Sequence, residues 1–220
     1  MSIRPFQLHA AASVIFAVLV GLGLVGCDSG GSNSTASTFQ NEFSFDIAAV
    51  PTTDALATAP GATVGATLDG FSFFFEGADP ETGEDVFVLY FTQENELSTA
   101  SSSQELFGFA IREGLRPGAG VYDFVSIDAD LSPENDFGMI LIESTGDVGT
   151  GGGSLSWYLA EMGTIELATS ADDQVGGTVS AEAIKVTFDG VATDTTQVMI
   201  DGTFAAKNAE SFVGVSPPTP

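Results

Sequence analysis

The chain has 220 residues, 30 acidic against 5 basic, a formal net charge of −25 and an apolar fraction of 44%. A surface this negative repels phosphate, which excludes nucleic acid as a partner, while 18 phenylalanines argue for a packed core rather than disorder. The chain has one cysteine, Cys27, and one histidine, His9, both within its first 27 residues. Everything after them therefore lacks the residues for a disulfide, a Cys/His zinc site or a histidine-based triad.

Arg4 precedes an uncharged stretch from Ala10 to Val25, with Val14 to Val20 continuously apolar. A positive start, a short apolar run and small residues at its end are the layout of a secretory signal. The run is short of the ~20 residues that span a bilayer. It ends in Leu24-Val25-Gly26-Cys27, which resembles the lipobox of bacterial lipoproteins at all four positions. The resemblance implies cleavage before Cys27 and a thioether-linked diacylglycerol on its sulfur. Residues 1–26 are then a signal peptide, and the chain is held at a bacterial membrane, facing the periplasm or exterior. Residues 27–38, the cysteine and a run of Asp, Ser, Gly, Asn, Thr and Ala, read as a flexible linker.

From Phe39 the pattern turns to period two. Phe43, Phe45 and Ile47 alternate with polar or small residues, as in a strand with one buried face. Pro51 and Pro60 mark a loop. Phe71, Phe73 and Phe75 line one face of the next strand and are expected in the core. Asp79-Pro80-Glu81-Thr82-Gly83 is turn chemistry that makes a hairpin with Val86 to Phe91, a segment apolar on both faces. After a serine-rich connection, Phe107, Phe109 and Ile111 resume alternation. Val121 to Ile127, Phe137 to Ile142 and Leu155 to Leu159 come next as strands. Three later strands are expected to start at Gly163-Thr164-Ile165, Gly177-Thr178-Val179 and Gly202-Thr203-Phe204. These closing words are similar to the end of small all-β lipoproteins of Bacteroidota-like bacteria, a resemblance that brings no activity with it. The expected fold is all-β, an antiparallel sandwich or barrel of about ten strands. Residues 39–212 form one domain, and the proline-rich 213–220 a disordered tail.

Three sites suggest themselves. Asp128, Asp130, Glu134, Asn135 and Asp136 bring together hard oxygen ligands of the kind calcium takes, but Ser132 and Pro133 break the EF-hand spacing. A solvated loop in an acidic chain is the plainer reading. Trp157 and Tyr158 face opposite ways on a strand, and one of them could stack on a sugar; a core or rim aromatic is the alternative. A pair of carboxylates across a cleft would suit a hydrolase, although no pair stands out among 30. No cofactor is expected, calcium apart. The function expected is a lipid-anchored, non-catalytic binding or structural module of the envelope with a protein or glycan partner. Calcium or glycan binding is the alternative, and an acid-pair hydrolase is third. The acidity itself suits life in high salt, where concentrated ions screen self-repulsion.

Overall fold

The computed structural model describes residues 41–50, 65–78, 83–93, 106–127, 136–145, 153–188 and 193–209. These form nine strands and no helix: β1 (Glu42–Ala49), β2 (Ala66–Ala78), β3 (Asp85–Thr92), β4 (Leu106–Glu113), β5 (Gly120–Phe124), β6 (Asp136–Thr145), β7 (Ser154–Ser170), β8 (Gln174–Phe188) and β9 (Thr193–Asn208). All belong to one sheet. Its ladder runs β1-β2-β3-β4-β6-β5-β7-β8-β9 and returns to β1, giving a closed, barrel-like sheet without free edges.

Seven strands make the ring and two wedge into it. β1 enters between β2 and β9, pairing antiparallel with both. Below its start, β2 and β9 meet directly in parallel, Ser72 opposite Ala206. The Ser72 hydroxyl donates to the Ala205 carbonyl at 2.8 Å, so a buried polar group secures this join. β5 plays the corresponding part between β6 and β7. The first half of β7 pairs with β6 and the second half with β5.

The alternation of each strand sends one side chain in two to the interior. Phe43, Phe45, Phe74, Phe87, Phe91 and Phe137 anchor that core. Their rings touch in chains: Phe43 to Phe45 at 4.9 Å between centroids, Phe45 to Phe91 at 5.0 Å, and Phe87 to Phe137 at 6.3 Å. The spacings suit tilted and edge-to-face contacts.

A second apolar cluster covers the outer face of the same wall, with Phe73 on β2, Val88 and Tyr90 on β3, Phe109 on β4 and Ile140 on β6. Phe71, Phe73 and Phe75 thus share one face, as their spacing requires, but it is the outer face, and Phe74 takes the interior position. Two apolar faces explain why Val86 to Phe91 and Phe137 to Ile142 have no polar side. The opposite wall, β8, β9 and β1, is polar outside: Thr178, Ser180, Asp201, Thr203, Ser44 and Asp46 are all exposed.

The three Gly-Thr words do not start strands. They sit within β7, β8 and β9, side by side: Thr164 opposite Ser180, Thr178 opposite Thr203. A Cβ on Gly177 would overlap the Glu166 carbonyl oxygen, and one on Gly202 that of Ser44. Glycine is needed there because the curved sheet brings neighbouring backbones too close for any side chain. One long β7 also replaces the two strands expected between 155 and 167.

Candidate functional site

Polar groups gather at the two ends of the ring. At the upper end, where β6 finishes and β7 begins, Tyr158 points inward and is fully buried. Its hydroxyl donates to Oε2 of Glu143 on β6 at 2.7 Å. The Lys185 ammonium on β8 lies 5.1 Å from the centre of the Tyr158 ring. Beside them the Ser156 and Thr187 hydroxyls are 3.1 Å apart. Burial raises the Tyr158 pKa strongly, and the hydrogen bond and negative charge of Glu143 push the same way. The phenol is therefore a proton donor fixed on a carboxylate. It forms a tie across β6, β7 and β8 rather than a nucleophile.

At the lower end Arg112 and Arg116 organise the connections. Arg112 is 5% exposed and points inward from β4, its guanidinium 5.3 Å from the Tyr122 ring centre and 5.6 Å from that of Phe137. Burial lowers its pKa, while Tyr122 and Asp136 act to raise it. Arg116 binds Glu76 at 3.0 Å and Asp172 at 2.6 Å, and donates to the Ala171 carbonyl at 2.8 Å. With the Ser170 hydroxyl on the Pro117 carbonyl at 2.6 Å, it ties the β4–β5 connection to the β7–β8 hairpin and to β2. Half of the basic residues after Cys27 are thus committed to holding this end together.

The described residues also form a shallow open groove on the outside of β1, β2 and β9, lined by Glu42, Ser44, Asp69, Phe71 and Thr203. One row further along, Asp46 stands directly opposite Asp201, and the Thr67 hydroxyl donates to Asp46 at 2.8 Å. These carboxylates lie on an open strand face, not across a cleft.

Of the five residues proposed for calcium, Asp128, Asp130, Glu134 and Asn135 lie outside the described residues. Asp136 opens β6 opposite Asp123 and contributes to the field on Arg112. Among the described residues no group of three or more potential metal ligands converges. Trp157 and Tyr158 do face opposite ways. Trp157 is half-buried on the outer face opposite Ile142, whereas the Tyr158 ring has no exposed face on which a sugar could stack. Sequence reasoning missed Glu143 and Lys185. Only the register, which brings Leu141 opposite Tyr158 and Tyr158 opposite Lys185, assembles them.

The fold and these ties define a closed all-β domain with a side-chain-filled interior. No family model, curated protein or solved structure matches the chain.

Proposed function

We propose that the chain is a lipid-anchored extracytoplasmic β-domain that acts without catalysis, as a binding or structural module of the cell envelope. The observation that supports this best is the filled interior. Phe45, Phe74, Phe87, Phe91 and Phe137 are wholly buried there, so a ligand held inside would have to displace them. Recognition then belongs to the outer surface, a role that suits a domain carried on a flexible linker behind Cys27. An acyl-modified cysteine with two or more chains holds such a domain stably, whereas one chain does so only marginally. The strong negative charge keeps the domain off anionic headgroups.

The test is metabolic labelling with a radiolabelled fatty acid in a bacterial host, with membrane fractionation of the wild-type chain and of Cys27→Ser. The wild-type chain takes up label and sediments with membranes. The variant takes up none and moves to the soluble fraction, with its unfolding midpoint unchanged. An unlabelled wild-type chain, or a variant still bound to membranes, overturns the anchoring and with it the proposed role at the envelope.

A further inference from the structure

Three side chains stand in one row across the outside of β7, β8 and β9. Met162 lies directly opposite Glu182, and Glu182 directly opposite Met199. Met162 is 56% exposed, Glu182 is exposed and Met199 partly so, whereas Ala181, Ala183, Val198 and Ile200 beside them are buried in the interior. We propose that Met162, Met199 and Glu182 form a site for a soft monovalent cation, copper(I) in particular.

A break in the β7 register puts Met162 in this row. Ala160 pairs with Ala183 and is buried inside, and strict alternation would send Met162 inward as well. A β-bulge between the two leaves Glu161 without a register partner on β8 and turns Met162 outward, opposite Glu182. Methionine is scarce in this chain. Of the three that follow Cys27, Met139 is wholly buried, and the other two flank this one carboxylate.

The ligand chemistry fits a soft ion. No group of three carboxylates, imidazoles or thiolates converges among the described residues, but a thioether is a ligand too. Thioethers select copper(I), whereas calcium and magnesium require a full set of oxygens. Two strand spacings set the Met162 and Met199 backbones about 10 Å apart. An unbranched side chain with three rotatable bonds can lean in from each side, so both sulfurs reach one ion held above Glu182. Glu182 adds an oxygen and a negative charge. In the next row Asp201 stands opposite Asp46, and the net charge of −25 draws cations towards this wall. The three residues come from strands paired along their length, so folding assembles the site whether or not Cys27 carries lipid.

The test uses the full chain carrying Cys27→Ser, which removes the competing thiol and makes the result independent of anchoring. Silver(I), an air-stable ion of similar softness, is titrated by calorimetry in chloride-free buffer, and copper(I) by competition with bicinchoninate. His9 is common to all the chains compared. Met162→Leu and Met199→Leu are each expected to weaken binding by about tenfold or more, since even groups that only orient a metal ligand are worth that much. Glu182→Gln is expected to weaken it several-fold. In parallel, NMR of isotope-labelled methionine methyl groups follows the silver titration. The Met162 and Met199 signals should move together and saturate at one ion per chain, while that of Met139 stays in place. The proposal is overturned if neither signal moves, if only one of them does, or if the double leucine variant binds as tightly as the parent chain. The NMR arm needs no substitution at the site, so it decides the matter even where a variant fails to fold.

Discussion

Alkaline pH should destabilise this protein through two tyrosines. Tyr90 is 4% exposed among the apolar residues outside β3, with Phe107 at 6.4 Å between ring centroids. Tyr158 is buried inside, bonded to Glu143. Burial raises both phenol pKa values well above the usual ~10, and for Tyr158 the hydrogen bond and charge of Glu143 add to it. The folded chain thus holds both protons more tightly than the unfolded chain. Stability from this source is fully present below about pH 10 and declines as pH rises towards the folded-state values. Each tyrosine that stays protonated only in the folded state contributes a slope of about 1.4 kcal/mol per pH unit. Tyr158 stands near the ring's mouth and should give less than the full amount, so the combined slope lies between roughly 1.4 and 2.7 kcal/mol per unit. Between about pH 9 and pH 11 that amounts to ~1.4–2.7 kcal/mol, because the slope is fully developed only above pH ~10, and this is a sizeable share of the roughly 5–15 kcal/mol typical of a domain. Urea unfolding monitored by Trp157 fluorescence, repeated across this range, measures the slope directly. Tyr90→Phe should remove about half of it or more. A flat profile, with tyrosinate absorbance rising near pH ~10 in the folded chain, would refute the reasoning, because both phenols would then ionise in place.

Three further outcomes are expected. Gly177→Ala drives a methyl group into the Glu166 carbonyl and should cost about 3 kcal/mol in urea unfolding, whereas Gly83→Ala, which meets nothing within 4 Å but has φ +74°, should cost no more than about 1–2 kcal/mol. Asp201→Asn relieves the like charge opposite Asp46 and should stabilise the fold by about 0.5 kcal/mol at low salt. The gain should vanish in molar sodium chloride, where screening acts within ~3 Å; a gain independent of salt would mean that the two carboxylates do not sense each other. Arg116→Ala should lower stability in urea unfolding modestly, by about 1 kcal/mol, because the Asp172 partner is fully solvated and the contribution comes mainly from Glu76 and the Ala171 carbonyl.

The strands were legible wherever one face or both faces had to be apolar. Phe43, Phe45 and Ile47 announce β1, and the continuous apolar run from Val86 announces a strand covered on both sides. Which face points inward was not legible. On β2 a run of aromatics, Phe71 with Phe73, Phe74 and Phe75, offers two apolar faces, and only ring closure decides that Phe74 goes inside. The Gly-Thr words were legible as places of backbone relief, but local sequence does not distinguish a strand entry from a pinch in mid-strand. That difference depends on Ser44 and Glu166, which approach from elsewhere in the chain. The Tyr158 cluster was half legible, since one strand carries the ring and two others bring Glu143 and Lys185.

The wedge made by β1 has a mechanical consequence. If the chain is tethered through Cys27, as proposed, tension along it reaches the described residues at Asn41, directly ahead of β1. The strand is gripped along its length on both flanks, by six register pairs to β2 and seven to β9. A pull along its axis loads these pairs together, in shear, instead of opening them one after another. The first strand would then act as a dowel held in a slot, resisting a pull applied from its N-terminal side.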